Sequence, residues 1–104
     1  VVHFAGEPVE MDKIYKLKKK YDFKVIEDAS HALGAKIKKI PVGSCKYSDL
    51  TVFSFHPVKP ITTAEGGIAT TNNKELYLKM QMLKNHGITK DLNLLKKKNN
   101  AHWY

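Results

Sequence analysis

The chain has 104 residues, which is enough for one small domain, and 42% of them are hydrophobic. Its formal net charge is +8, and all 18 of its basic residues are lysines. Because the planar fork of arginine is favoured for phosphate and base-edge contacts, a chain without arginine is a poor candidate for sequence-specific nucleic-acid binding. No apolar run approaches the ~20 residues that span a bilayer, so no membrane-spanning helix is predicted.

The first half of the chain predicts a strand, a helix and a second strand. Residues 1–4 are apolar and typical of a strand, and the helical spacing of apolar residues predicts a helix over residues 9–21. The next strand covers residues 23–26 and ends at Glu27 and Asp28. A strand–helix–strand unit of this kind is expected to place its two strands parallel, with a right-handed crossover.

The second half continues the alternation of strands and helices. A short β excursion is predicted over residues 35–42, and a β-branched, aromatic strand over residues 50–55. A further strand is predicted over residues 67–71, and a helix capped by Asn72 or Asn73 from Lys74 to about residue 85. From Lys90 onward the chain is polar, and its pattern predicts no particular helix or strand. The predicted fold class is α/β, with a mixed, mostly parallel sheet covered by helices.

The two ends of the chain and its cysteine content indicate its context. The chain starts on an apolar run rather than on Met and ends without a polar tail, so it is interpreted as a piece of a longer protein. The single cysteine, Cys45, excludes a disulfide within the chain and fits a reduced, cytoplasmic compartment. The five histidines are scattered without ligand spacing, so no metal site is predicted.

An amine, a carboxylate and a hydroxyl are predicted to meet at the carboxyl ends of the strands. Asp28 follows one strand, Ser54 lies at the end of another, and Lys59 follows Ser54 within one short loop. Ligands of open α/β sheets bind beyond these strand ends. A lysine that binds pyridoxal phosphate (PLP) covalently, with an acid beside the ring nitrogen, would use this combination. The sequence therefore predicts a PLP site.

Several residues near this predicted site have more than one possible role. His31 could contact the cofactor ring or its phenolic oxygen, although a lone histidine is more often structural. Glu27 and Asp28 should point to opposite faces of their strand, so only one of them is expected to face the site. The hydroxyls of Thr62 and Thr63, in the loop after the lysine, could bond either the backbone or a substrate, and both options stay open.

These motifs together resemble the DegT/DnrJ/EryC1/StrS aminotransferases. The similar segments are 27–32, 54–59 and 64–67, and the likeness extends from Val1 to about Gly87. The resemblance implies that residues 1–104 are part of the large domain of a fold-type-I, PLP-dependent enzyme. The family's N-terminal phosphate loop and its C-terminal small domain are absent from this chain.

The resemblance also implies roles for four residues. Lys59 matches the Schiff-base lysine, which is also the proton carrier of the reaction. Asp28 matches the acid at the pyridine nitrogen, and His31 matches the position that contacts the cofactor ring or its phenolic oxygen. Ser54 matches the serine that holds the cofactor phosphate. Lys59 and the residues after it are similar to enzymes that make the 4-amino sugar precursor of pseudaminic acid.

The implied reaction transfers an amino group from L-glutamate to a UDP-linked 4-keto-6-deoxy sugar, for amino-sugar or surface-glycan synthesis. The implied assembly of the intact enzyme is a homodimer. Three alternatives stay open. The chain could be a basic module that binds polyanions, another fold-type-I PLP enzyme that acts on an amino acid, or an inactive remnant of a gene.

Overall fold

The structure is a computed structural model that describes residues 1–89 and 91–94. The chain divides into two compact units, residues 1–72 and residues 73–104, which are considered separately. The first unit contains one helix and five short strands. In chain order these are α1 (Met11–Tyr21), β1 (Ile26–Asp28), β2 (Lys36–Ile37), β3 (Ile40–Pro41), β4 (Leu50–Ser54) and β5 (Gly67–Thr70).

A mixed sheet with the strand order β1-β4-β5 forms the centre of the first unit. Strands β1 and β4 are parallel, with Asp28 opposite Val52, whereas β4 and β5 are antiparallel, with Ser54 opposite Gly67. An isolated parallel bridge joins Val2 to Asp28 on the other side of β1. The segment at Val2, β1 and β4 therefore end at the same edge of the sheet, which we call the carboxyl edge. The predicted mixed α/β architecture is confirmed.

The predicted strand over residues 1–4 is wrong in its extent. Only the bridge at Val2 is present, and a 3-10 turn covers Phe4–Gly6. Left-handed backbone angles at Ala5 (φ 52°) and Gly6 (φ 86°) bend the chain away from the sheet, so the strand cannot continue. The predicted parallel arrangement of this segment and β1 is nevertheless confirmed by the bridge.

The helix predicted over residues 9–21 is confirmed and begins at Met11, whose side chain is fully buried. It ends where Asp22 adopts a left-handed conformation and its N–H donates to the carbonyl of Lys18 at 2.9 Å. The Lys18 ammonium also contacts the Asp49 carboxylate at 2.6 Å, and the same carboxylate accepts the Val25 N–H at 2.9 Å. Asp49 thus holds α1 and the approach to β1 against the start of β4.

The predicted β excursion is confirmed as the β2–β3 hairpin, in which Lys36 pairs with Pro41. Its two-residue turn has positive φ angles at Lys38 (48°) and Lys39 (70°), as the right-handed twist of a tight hairpin requires. Next to it, Gly43 packs so closely on the Phe53 ring that a Cβ there would lie 2.7 Å from a ring carbon. Glycine at this position therefore allows the core to close.

The main cluster of buried apolar residues lies where the segment that follows Asp28 packs onto the sheet. It consists of Ala29, Ala32, Val42 and Phe53. Small residues after β1 allow the turn at residues 29–33 to pack directly onto the sheet. This packing fixes the position of the polar side chains that emerge at the carboxyl edge.

The second unit contains α2 (Lys74–Leu83) and a 3-10 turn at Leu92–Leu94. The predicted cap is confirmed, because the Asn73 side chain accepts the Leu76 N–H at 3.0 Å. The helix ends two residues before the predicted boundary. Of the predicted polar segment that begins at Lys90, residues 90 and 95–104 lie outside the described residues. Neither helix in the described ranges is both long and apolar enough to cross a membrane.

Candidate cofactor site

The carboxyl edge of the sheet brings together the residues that the sequence predicts as a site. Asp28 is the last residue of β1, rather than the first residue beyond it, and Ser54 is the last residue of β4. Both side chains are half-buried, as is Lys59 in the loop that follows. The rule that ligands bind beyond the carboxyl ends of parallel strands applies directly to this arrangement.

Asp28 is held as a carboxylate by its local hydrogen bonds. One carboxylate oxygen accepts the Ser30 N–H at 3.0 Å. The pKa of the Asp28 carboxyl is lowered from its ordinary value of 3.8, mainly because the Ser30 hydroxyl and then the Ser30 N–H stabilise the charged form. Burial opposes this lowering of the pKa, and smaller electrostatic interactions with the side chains of His31 and Lys59 add to it. At neutral pH the side chain is therefore ionised.

Lys59 and Ser54 are linked through the backbone of His56. The Ser54 hydroxyl oxygen accepts the His56 N–H at 3.3 Å, and the His56 carbonyl accepts the Lys59 N–H at 2.9 Å. This chain of contacts ties the turn that bears Lys59 to the end of β4. Because β4 is paired in parallel with β1, this turn leaves the sheet at the same edge as Asp28.

His31 is exposed at the same edge and contacts an aromatic ring that sequence reasoning did not assign to the site. The rings of Phe4 and His31 are 6.2 Å apart in an edge-to-face arrangement. Phe4 is 75% exposed, which is unusual for a large apolar side chain beside a polar site. The parallel relation of residues 1–4 to β1 is the signal that could have placed Phe4 at the carboxyl edge.

Glu27 points to the opposite face of β1, as the alternation of strand side chains predicts, and is buried in a polar cluster. Its carboxylate accepts hydrogen bonds from His3 Nε2 at 2.8 Å, from the Thr51 hydroxyl at 3.1 Å and from the Ser48 hydroxyl. The Val9 N–H donates to His3 Nδ1 at 3.1 Å, so the ring proton is assigned to Nε2, facing Glu27. We call His3, Glu27, Ser48 and Thr51 the sealed cluster.

Among the described residues, no group of three or more His, Cys, Asp or Glu side chains could hold a metal ion.

The Cys45 thiol is buried and contacts the Thr51 hydroxyl at 3.4 Å and the Thr70 carbonyl at 3.2 Å. A groove in the second unit is lined by Leu78, Met82 and Ile88, with other residues of that unit, and contains none of the predicted site residues.

An ionised carboxylate and a lysine amine at the carboxyl edge of a mixed α/β sheet are the protein groups that a PLP enzyme requires. A model of the DegT/DnrJ/EryC1/StrS aminotransferase family matches residues 1–102. The chain therefore belongs to this family.

Two bacterial transaminases are among its relatives. Over 90 residues the chain is 58% identical to the UDP-4-amino-4,6-dideoxy-N-acetyl-beta-L-altrosamine transaminase of Campylobacter jejuni, covering 86% of this chain and 23% of that protein. The enzyme of the same name from Helicobacter pylori is 45% identical over 89 residues, with the same coverage of 86% and 23%. The chain thus spans about a quarter of the length of these curated relatives.

Solved structures agree with this family assignment. Helicobacter pylori PseC, an aminotransferase involved in the biosynthesis of pseudoaminic acid, matches with a TM-score of 0.82 at 40% identity, over 99% of this chain and 25% of that one. The PLP form of a putative sugar aminotransferase from Streptococcus pneumoniae matches with a TM-score of 0.73 at 37% identity, over 85% and 27% of the two chains. The predicted fold-type-I architecture is confirmed.

Proposed function

We propose that this chain is the cofactor-anchoring part of a PLP-dependent aminotransferase that transfers an amino group from L-glutamate to a UDP-linked 4-keto-6-deoxy sugar. The observation that supports it most is geometric: Asp28 and Ser54 end the paired parallel strands β1 and β4, and Lys59 lies in the loop that leaves β4. The names of the relatives in Campylobacter jejuni and Helicobacter pylori support the sugar substrate.

The residues at the carboxyl edge fit PLP by their chemistry. Bound PLP supplies an electron sink for transfer of the amino group. Asp28, whose pKa is lowered by Ser30, stays charged and is the acceptor for a protonated ring nitrogen. Ser54 offers a hydroxyl for the phosphate, and His31 offers an imidazole for the ring or its phenolic oxygen.

Lys59 has two roles in the proposal. Its Nζ would hold the cofactor covalently, and as a free amine it would carry a proton to or from the substrate carbon. A half-buried lysine on a short turn suits both roles, because the bond of its backbone N–H to the His56 carbonyl holds the turn at the carboxyl edge.

The wider assignments belong to the same proposal. Residues 1–104 are part of the PLP-binding large domain, and the intact enzyme is a homodimer. We infer that it works in the cytoplasm, in the synthesis of amino sugars for surface glycans, and the buried free thiol of Cys45 supports a reduced compartment.

Borohydride trapping on the intact protein tests the cofactor site. The protein is incubated with PLP, and the visible absorption band of the bound cofactor is recorded. The protein is then reduced with borohydride and digested for mass spectrometry. We expect one pyridoxyl label, on Lys59, which is lost in Lys59→Ala and kept in the control Lys16→Ala, whose exposed lysine lies on α1. A label scattered over many lysines, or no band, would refute the site and favour the basic module or the gene remnant.

A second assay tests the substrate. The intact enzyme is supplied with L-glutamate and a UDP-4-keto-6-deoxy-N-acetylhexosamine, and the amino sugar is measured by mass spectrometry. We expect product with the wild-type and Lys16→Ala enzymes and none with Lys59→Ala. Turnover of amino acids without any sugar acceptor would instead favour the alternative fold-type-I enzyme.

A further inference from the structure

The loop that bears Lys59 is closed at its base by the backbone of Phe55. The Phe55 N–H donates to the Gly66 carbonyl at 2.8 Å, and the Phe55 carbonyl accepts the Thr63 N–H at 3.0 Å. Phe55 directly follows β4, so these bonds attach the far end of the loop to the same strand end from which the loop departs. Residues 56–66 therefore form a closed ring on the sheet.

The Thr62 side chain completes this closure. Its hydroxyl donates to the Phe55 carbonyl at 3.1 Å and accepts the Ala64 N–H at 3.0 Å. Ala64 has a left-handed backbone (φ 67°), which costs free energy for a residue with a Cβ. The Thr62 hydroxyl thus satisfies the amide of a strained residue and joins it to the strand end.

The neighbouring Thr63 differs in its contacts. Its hydroxyl donates to the Glu65 carbonyl at 2.8 Å, which is a bond within the loop and does not reach Phe55. Its attachment to Phe55 is made by its backbone N–H and would survive removal of the hydroxyl. Of the two threonine hydroxyls left open by the sequence, only that of Thr62 connects the loop to the sheet.

We propose that Thr62 is a positioning residue, whose hydroxyl fixes the loop on β4 and so sets the placement of Lys59 relative to Asp28. On the entry side, the turn through His56 already ties Lys59 to Ser54. On the exit side, the Thr62 hydroxyl adds a side-chain bond to Phe55 beside the backbone bonds of Thr63 and Gly66. With both sides attached to β4, and β4 paired with β1, the backbone of Lys59 has a fixed relation to Asp28.

Hydrogen exchange on the intact, cofactor-free protein tests the closure itself. Thr62→Val keeps the shape of the side chain and removes the hydroxyl, so the amides of Thr63 and Ala64 should exchange about fivefold faster, as expected for one lost hydrogen bond. Thr62→Ser keeps the hydroxyl and should restore wild-type exchange. Unchanged exchange in Thr62→Val, or equal effects of both substitutions, would overturn the proposal.

A kinetic measurement tests the positioning of Lys59 and rests on the proposed PLP chemistry. In Thr62→Val the visible band should form about fivefold more slowly at saturating PLP, with an unchanged melting midpoint. Thr62→Ser and Thr63→Val should both match the wild type. Faster exchange with unchanged band formation, or a lowered melting midpoint with faster exchange throughout β4 and β5, would reduce Thr62 to a structural role and overturn the proposal.

Failure of the proposed function is a separate result. If wild-type protein formed no band with PLP, the cofactor assignment would fail, and the exchange experiment would still decide whether Thr62 closes the loop. If the wild type were labelled at Lys59 and Thr62→Val matched it in both measurements, the cofactor assignment would stand and the role of Thr62 would be refuted.

Discussion

Glu27 and Asp28 are adjacent carboxylates on one strand, yet they have opposite surroundings. Glu27 is 3% exposed and accepts hydrogen bonds from three side chains of the sealed cluster. Asp28 is half-buried, its carboxylate accepts a hydrogen bond from Ser30 two residues later, and within the described ranges it makes no salt bridge. The alternation of side chains along a strand therefore separates a structural carboxylate from one that a ligand can reach.

The hydrogen-bond donors of the two carboxylates lie at different distances along the chain, so the carboxylates should respond differently to substitution. Glu27 is bonded by His3 and Ser48, which are 24 and 21 residues away in the chain, so its bonds exist only when several segments are packed together. Asp28 is bonded by a neighbour and keeps that bond without distant packing. Loss of Glu27 leaves three fully or nearly buried side-chain donors without their acceptor, whereas loss of Asp28 affects only the half-buried Ser30.

The largest expected effect comes from the same substitution at both residues. Glu27→Ala should lower the opening free energy of the β1 amides by about 3 kcal/mol, since buried donors lose their acceptor. Asp28→Ala should lower it by about 1 kcal/mol or less. Native-state hydrogen exchange on the intact protein measures both, and equal losses would contradict the separation of the two faces.

Asp49 extends the comparison to the opposite edge of the sheet, because it directly precedes β4. Burial raises its pKa, but the Lys18 hydrogen bond, the Val25 N–H and the lysine charges outweigh this and hold the pKa below 3.8. Its contribution to stability is therefore complete above pH 3.8 and is lost as the pH falls through the lower, folded-state pKa.

Asp49→Asn should remove this contribution and cost about 2 kcal/mol of opening free energy at neutral pH. Because asparagine cannot ionise, the variant should also lose less stability than the wild type as the pH falls below 3.8. Hydrogen exchange of the Val25 amide as a function of pH provides the measurement. Glu10→Gln, which breaks an exposed ion pair with Lys13, is the control and should leave the profile unchanged.

Substitution of Thr51 measures how much the hydrogen bond from its hydroxyl to Glu27 stabilises the sealed cluster. Thr51→Val keeps the shape and removes a hydroxyl that bonds Glu27 and contacts Cys45, at a cost of about 1 kcal/mol in the opening free energy of β4. Thr51→Ser retains the hydroxyl and serves as the matched variant. A larger loss for serine than for valine would mean that packing of the methyl group, rather than the bond to Glu27, determines the cost.

The smallest expected effect on stability is at the proposed catalytic residue. Lys59 forms no salt bridge in the part of the chain that the structure describes, so Lys59→Ala should change the opening free energies of β1 and β4 by no more than about 0.5 kcal/mol. Hydrogen exchange and circular dichroism of the intact protein check this. A destabilisation as large as that of Glu27→Ala would remove the distinction between the sealed cluster and the open edge.

The sequence was sufficient wherever a local pattern decided the structure. Apolar spacing located both helices, β-branched residues located β4, and the strand–helix–strand order predicted the parallel relation of residues 1–4 to β1. The same rules predicted that Asp28, Ser54 and Lys59 would share one edge. The left-handed backbone at Ala5 and Gly6 was not foreseen, because the apolar composition of residues 1–4 favoured a continuing strand.

By itself, the sequence determined the α/β class, the family resemblance and the separation of Glu27 from Asp28, since each follows from residue type and spacing along the chain. The tertiary structure decided that His3 and Ser48 bond Glu27, that Phe4 contacts His31, and that the Thr62 hydroxyl bonds the backbone of Phe55. These contacts depend on strand register and loop closure, which bring together atoms that no local pattern relates.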